Sequence, residues 1–473
     1  MKPAHALLVA LGTTLLSAAS AEPPPNLIFI LADDLGYGEL GCYGQTVIQT
    51  PQIDRMAAEG LRFTQFYAGA AVCAPSRSVL MTGLHGGHTR VRGNSGSAPA
   101  LARALQPQDR TIAEVLQAAG YRTALVGKWG LGDIGDYETG LPRRKGFDEF
   151  FGYLNQRHAH NHFPDFLWRN ETRQPLANVI VPVGNAGAGY ATEAVEFADD
   201  LFADEAIAFV TANAKRPFFL FWSMVVPHSN NERWKVLGDG AQVPDYGPYA
   251  GMDWPAPDKG HAAMITRMDS YVGRLIAALR ELEIAERTLV IFTSDNGPHN
   301  SSGHNTARFR PAGEFSGMKR SLLEGGIRVP AIAWWPGTIR AGVTGTVGGL
   351  VDWLPTAAEL AAAKPPGEVD GRSLVPTLLG KPQSPPEFLY WEFHENGFQQ
   401  AALLEGRWKG IRRGGPERTP EVFDLLNDPS ETTDVAAAHP ELTRKICDYL
   451  DSARTPTPGW DPAWEARATP ATE

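Results

Sequence analysis

The sequence predicts an α/β fold: a large, mainly parallel sheet flanked by helices, followed by a smaller C-terminal domain of antiparallel sheet plus helix. Three observations carry this expectation. Compact apolar runs rich in β-branched residues alternate with amphipathic helical patterns over most of the 473 residues. Polar and charged residues stand just past the ends of several of those runs. Beyond Lys364-Pro365-Pro366-Gly367 the runs shorten and crowd together, with one last helical pattern behind them.

At the N-terminus, Lys2, an apolar run over residues 7–16 and the small residues Ala19-Ser20-Ala21 read as a signal peptide spanning residues 1–21. The run is shorter than the roughly 20 apolar residues that cross a bilayer. No other segment reaches that length, so a secreted or periplasmic protein without a membrane span is expected. After Pro23-Pro24-Pro25, residues 26–31 form a buried parallel strand that ends in Ala32-Asp33-Asp34. Thr50-Pro51 caps and starts a helix ending at Gly60, and Thr111 opens another ending at Gly120. Residues 123–126, 218–226 and 288–293 are further strands. Longer helices fall at about 193–214 and 261–283, the second with Ile265, Met268, Val272, Leu275, Leu279 and Leu282 on one stripe. Residues 22–365 thus make the main domain. Residues 366–473 make the second, with short strands at 387–393, 399–404, 407–412 and 421–425 and a helix over 440–453. The Pro-, Thr- and Ala-rich tail after Arg454 reads as disordered.

A formal net charge of -10 argues against a nucleic-acid partner, which needs a basic face. Three cysteines, Cys42, Cys73 and Cys447, are too few and too odd in number for a disulfide framework. A single Cys42–Cys447 bridge finds no support in their spacing. Cys73 needs its own explanation.

In open α/β sheets, ligands bind outside the carboxyl ends of the strands. Asp33-Asp34, Lys128, His228 and Asp295-Asn296 each stand at such an end. Any one of them alone reads as a loop residue. Together they bring carboxylates, an amide, a cation and an imidazole toward one crevice. Asp33, Asp34, Asp295 and Asn296 are hard oxygen donors, which suit Ca²⁺ or Mg²⁺ rather than Zn²⁺. Taken singly, Asp-Asp is a loop turn and Asp-Asn-Gly a type I′ turn.

The most specific signal is Cys73-Ala74-Pro75-Ser76-Arg77, followed by Ser78-Val79-Leu80-Met81-Thr82-Gly83. In isolation it is a buried cysteine before a helix with proline in its first turn. In this context it resembles the signature of the formylglycine-dependent sulfatases, arylsulfatase-like members of the alkaline phosphatase superfamily. The resemblance extends through Asn26–Gly36, Thr50-Pro51-Gln52-Ile53-Asp54, Gly127-Lys128-Trp129, Pro227-His228, Thr293-Ser294-Asp295-Asn296-Gly297 and Glu324-Gly325-Gly326-Ile327-Arg328-Val329-Pro330. Late in the chain it includes Val422-Phe423-Asp424-Leu425 with Asp428-Pro429.

The resemblance implies hydrolysis of a sulfate ester, on a sulfated small molecule or carbohydrate. It implies that a formylglycine-generating enzyme oxidises Cys73 to an aldehyde. It implies a Ca²⁺ held by Asp33, Asp34, Asp295, Asn296 and the modified Cys73, with Arg77, Lys128, His228 and Lys319 around the sulfate. Asp295 would be the base for attack, and His228 with Lys319 would protonate the departing alcohol. The first turn of the helix after Cys73 would add positive potential for an anion.

One position departs from the family. Gly-Lys-Trp is commonly followed by histidine, and this sequence has Gly130, which cannot move a proton. The segment Arg157-His158-Ala159-His160-Asn161-His162 offers a substitute, His160, and a Gly-Lys-Trp-Gly form resembles a subgroup of the family. The same segment also reads as a surface or substrate-binding loop. Two alternatives stay open at this point: a phosphonate or phosphate-ester hydrolase of the same superfamily, and a non-catalytic binder of sulfated glycans if Cys73 is never modified. Trp168, Arg169, His299, His304, Arg308 and Trp391 are candidates for a leaving-group pocket, or else packing and surface residues.

Overall fold

The computed structural model describes residues 23–94, 103–135, 137–395, 397–457 and 459–462. The signal-peptide reading of residues 1–21 lies outside the described residues.

Asn26–Ala32 carries no charge and no solvent-facing position; all seven residues are buried. A strand apolar on both faces must be covered on both, and it lies at the centre of the sheet. Leu27 pairs with Phe219 on one side and Leu289 on the other, both in parallel register. The full sheet has ten strands: Gly342–Thr344, Leu61–Phe63, Ala331–Trp334, Thr288–Ser294, Asn26–Ala32, Phe218–Ser223, Arg122–Lys128, Glu149–Tyr153, Phe166–Arg169 and Thr172–Pro175. The five from Thr288–Ser294 to Glu149–Tyr153 are parallel. Antiparallel pairs flank them on both sides. The four strands read from the sequence are all central, and the edge strands are the ones its patterns did not single out.

The helix Ala256–Glu281 buries Ile265, Met268, Val272, Leu275 and Leu279 along the expected stripe. Its neighbour Ala198–Asn213 starts later than the pattern suggests, because Gly189–Glu193 instead pairs as a hairpin with Val179–Pro182. Thr111 caps its helix as expected, with Glu114 N–H donating to its hydroxyl. Thr50 stands at the head of Pro51–Glu59 but its side chain does not cap it. The Asp269 carboxylate takes the free N–H groups of Gln52 and Ile53, so the Thr50 hydroxyl is left to accept from Gly41 N–H.

The C-terminal strands Phe388–Phe393, Gln399–Leu404, Trp408–Arg413 and Glu421–Asp424 form an antiparallel sheet in chain order. The helix Pro440–Ser452 covers one face through Ile446 and Leu450. The other face, with Trp391, Phe393 and Leu403, packs on Tyr67, Ala71, Val72 and Leu322. This sheet is therefore a buttress behind the segment leading into Cys73. Lys409, from its third strand, is buried between Glu324 and Glu431.

The tail reading needs correction over its described part. Residues after Arg454 are packed: Arg92 donates to the carbonyl of Thr455 and the hydroxyl of Thr457, and Trp460 is buried. The tail has little apolar surface to bury, but a buried guanidinium needs acceptors, and the tail supplies them. Cys42 and Cys447 are both free thiols, so no bridge joins them. Among the described residues no helix is long and apolar enough to cross a membrane.

Candidate active site

Three strand ends and one helix start converge. Asp33 and Asp34 follow the strand Asn26–Ala32, Lys128 closes Arg122–Lys128, and Asp295 and Asn296 follow Thr288–Ser294. Parallel pairing in register brings these ends to the same edge. At Gly127 the backbone has φ 108, and a side chain there would run into the Ser223 carbonyl, so glycine lets the strands close up at this level. Cys73 opens the helix Cys73–Thr82, in which every residue is buried.

The side chains interlock. The Cys73 thiol lies 3.2 Å from Asp33 Oδ1 and 3.6 Å from Lys319 Nζ. Lys128 Nζ is 2.5 Å from Asp33 Oδ2. Lys319 Nζ contacts Asp34 at 2.7 Å and His228 Nε2 at 3.1 Å. Arg77 is fully buried and saturated: Nε and Nη2 donate to Asp295 Oδ2 at 3.1 and 2.9 Å, and Nη1 to the Lys128 carbonyl at 2.8 Å and to the Ser223 hydroxyl. Asp34 sits at φ 67, unusual for a residue with a Cβ, and is held there by Asp295 Oδ1 on its N–H and by Asn296 Nδ2 on its carboxylate.

Burial and charge together set the protonation states. Burial alone would raise Asp33, but Lys128, Arg77 and Lys319 outweigh it and hold the carboxyl well below its usual range. Asp295 goes the other way: burial first, then the Asp33 charge, push it up despite Arg77. Lys319 is raised, its burial overcome by Asp34, Cys73 and Asp33. Burial, then Asp295 and Asp33, push the Cys73 thiol up, so as a plain cysteine it is a poor nucleophile. Burial and the neighbouring lysines hold His228 well below the ordinary imidazole value.

The site suits a hard divalent cation. Asp33, Asp34, Cys73 and His228 present ligand atoms that all lie within 4.8 Å of one another. Asn296 Oδ1 is buried beside Asp34 without a hydrogen-bond partner. Three clustered carboxylates and an orphaned amide oxygen form an oxygen-rich donor set that matches Ca²⁺ or Mg²⁺.

Every residue expected at the sulfate site is in this cluster: Cys73, Arg77, Lys128, His228 and Lys319. His160 also reaches it, by another route. Its ring stacks on His228 with centroids 5.0 Å apart, and Nδ1 is tied to Glu232 at 2.9 Å. Among the described residues no hydrogen bond joins it to Cys73. The other two histidines of its segment are internal as well. His158 packs on Tyr153, and His162 Nε2 lies 2.8 Å from the His228 carbonyl. Of the six leaving-group candidates, only His299 adjoins the site, with its ring 6.1 Å from that of His228. Trp168 and Trp391 are core residues; Arg169, Arg308 and His304 are engaged with Glu205, Asp258 and His261.

Several functional neighbours had no signal in the sequence. Asn94 accepts the Ala74 N–H at 2.7 Å and so occupies the start of the Cys73 helix. Ser223 and Glu232 are ordinary residues until the fold brings them to Arg77 and His160. An alternation of apolar residues places Ser223 on a strand but says nothing of what it meets.

A family model described as Sulfatase matches residues 25–363. The chain belongs to the sulfatase family. A second model, for the C-terminal part of N-sulphoglucosamine sulphohydrolase, matches residues 313–455. Human arylsulfatase A is 33% identical to this sulfatase over 500 aligned residues, covering 93% of this chain and 89% of that protein. N-acetylgalactosamine-6-sulfatase of the dog is 34% identical, covering 79% and 70%. Among solved structures, Ps i-CgsB in complex with k-i-k-neocarrahexaose superposes with a TM-score of 0.75 at 26% identity, covering 95% of this sulfatase and 98% of that chain. The family and its relatives place this sulfatase among the sulfuric ester hydrolases.

Proposed function

We propose that this sulfatase removes sulfate from a sulfated carbohydrate, using formylglycine made from Cys73 and one bound Ca²⁺, in a secreted or periplasmic setting. The observation that carries the reading is the convergence around one thiol of three carboxylates and three cations drawn from five separate segments of the chain. Formylglycine would supply an oxygen nucleophile and Ca²⁺ would neutralise charge on the sulfate; the rest falls to the chain. Asp33, Asp34, Asp295 and Asn296 hold the cation. Arg77, Lys128 and Lys319 place fixed positive charge around the sulfate oxygens, the electrostatic contribution that usually dominates such catalysis. Asp295, which also meets Arg77 at 2.9 Å, is the carboxylate we assign to take the proton of the attacking group.

On the leaving-group side the structure supports a sharper assignment. His228 Nδ1 faces the Ser229 carbonyl at 2.7 Å, which requires the proton on Nδ1. Nε2 is then an acceptor and takes its hydrogen bond from Lys319 Nζ. The proton nearest the departing oxygen therefore rests on Lys319, with His228 orienting it. His160, backed by Glu232, is the imidazole we assign to the proton transfer that Gly130 cannot make.

Cys73 is 1% exposed. A formylglycine-generating enzyme would have to reach it before the helix packs. The deciding measurement is the mass of the Cys73 peptide with sulfate release on the same material. Conversion lowers the mass by about 18 Da. An intact thiol together with undiminished hydrolysis would refute the proposed nucleophile.

A further inference from the structure

Beside the sulfate site lies a solvent-open cleft of about 190 Å³, lined among others by Asn94, Arg103, Gly130, Tyr137, Gln156 and Arg157. Two of these residues tie it to the chemistry. Gly130 is two residues past Lys128, and Asn94 accepts the N–H of Ala74, next to Cys73. A third link is the short helix Gln156–Ala159, which is capped at its far end by His160.

The cleft has the character of a prepared anion site. Arg103 and Arg157 face it, and among the described residues no carboxylate lies within ion-pair distance of either. Arg103 stacks its guanidinium over Tyr137 at 5.4 Å, and its Nε is buried without a hydrogen-bond partner. Arg157 donates to Asn185. Among the described residues the one acid on the wall is Asp133, and it is occupied by Asn155 Nδ2 and the Ile134 N–H. Gln156 has both amide atoms buried and unpaired, which is unfavourable unless something else completes them. The amide lies where a side chain at position 130 would go. An ideal Cβ there falls 2.2 Å from Gln156 Nε2, and the backbone holds φ +84. Glycine at 130 thus makes room for Gln156, and the two together form the cleft's inner wall.

We propose that this cleft binds a second anionic group on the substrate, a carboxylate or a further sulfate ester carried by the departing sugar, and that Arg103, Arg157 and Gln156 read it. The inference rests on the sulfatase reading above and narrows it: the preferred substrate is a sulfated saccharide bearing at least two negative charges. Guanidinium pairs suit planar carboxylate and tetrahedral sulfate alike.

The test uses the full mature chain and matched sulfated disaccharides: one with its uronate carboxylate intact, one with it reduced to the alcohol, and one reduced but carrying a second sulfate. The kcat/KM ratio of intact to reduced substrate is expected to be about tenfold or more, the range of one charge-assisted contact. Whether the intact or the disulfated sugar is turned over faster tells carboxylate from sulfate. Arg103→Gln should bring the ratio close to one, whereas Arg143→Gln, an exposed control outside the cleft, should leave it unchanged. Binding of the same sugars to the Cys73→Ala chain, by calorimetry, should show the same preference without any need for turnover. Equal turnover and equal binding of charged and reduced sugars would overturn the proposal while leaving the sulfatase reading standing. Preserved selective binding with no hydrolysis by the unsubstituted mature chain would instead overturn the catalytic reading and keep the cleft.

Discussion

Lys409→Met should destabilise this sulfatase by an amount that can be worked from one buried cluster. Lys409 Nζ lies 2.9 Å from Glu324 Oε1 and 2.8 Å from Glu431 Oε1, and all three side chains have no solvent exposure. Glu324 is held further by the Tyr67 hydroxyl at 2.9 Å and Arg328 at 3.2 Å. At an effective dielectric constant of about 20, each lysine contact is worth about 6 kcal/mol gross. Taking the ions out of water cancels most of this, and removing one partner of a buried pair leaves a net loss of about 3–5 kcal/mol. Methionine preserves the bulk and removes only the charge. In equilibrium denaturation the midpoint should fall with the slope unchanged. The loss should also depend on pH. Burial alone would raise Glu324, but Lys409 and Arg328 outweigh it and hold the carboxyl low. Its contribution in the parent is therefore present above the unfolded carboxyl value and lost as pH falls. Without Lys409 both carboxyls rise, and their neutral forms stabilise the folded variant progressively on acidification. The gap between parent and variant should narrow from pH 7.5 to pH 5. A loss below about 1 kcal/mol, typical of a surface pair, or a gap that widens in acid, would refute the reasoning.

Cys73→Ala should abolish sulfate release yet change stability by no more than about 1 kcal/mol, since the volume lost is small; residual turnover in a thermally intact variant would exclude Cys73 as the source of the nucleophile. Chelation with EGTA should lower both activity and melting temperature, because a cation bound only to the folded state adds about 2.7 kcal/mol at a hundredfold excess over its dissociation constant. Ca²⁺ should restore both better than Mg²⁺, and indifference of the melting curve to chelator would argue against a resident metal. Glu392 is opposed by burial but pulled down to about 2 by Arg92, His394 and Arg454. Glu392→Gln should therefore cost about 3–5 kcal/mol at pH 7, a penalty kept down to about pH 4.5 and lost between there and about pH 2. A pH-independent difference in urea denaturation would show that the carboxylate is not what the arginines hold.

Much of the fold was legible because its central strands are buried on both faces. Asn26–Ala32 and Thr288–Ser294 read as unbroken apolar runs, and such runs have few alternatives. Edge strands such as Thr172–Pro175 are short and mostly exposed, so their composition resembles that of loops. The Ala198–Asn213 helix shows the same limit: its upstream neighbours could have extended it, but Glu193 pairs in a hairpin and Asn178 Oδ1 takes the N–H groups of Val195 and Glu196. Thr50 shows it at a single side chain. The local pattern is that of a cap, yet Asp269, more than 200 residues away, supplies the acceptor.

By itself, the sequence determined the chemical inventory and its address. Cys73, Arg77, the acidic pairs and the lysines sit in local motifs whose strand or helix context is set by short-range pattern. The convention that strands of a parallel sheet offer their carboxyl ends to one edge places them together. Only the tertiary structure decided what those groups do to one another. The opposite displacements of Asp33 and Asp295, the tautomer of His228, the engagement of Arg77 and the cleft made by Gly130 with Gln156 all depend on ångström-scale distances between residues far apart in the chain. Electrostatic interactions and desolvation vary steeply with distance and burial, and neither distance nor burial is written in the spacing of residues along the chain.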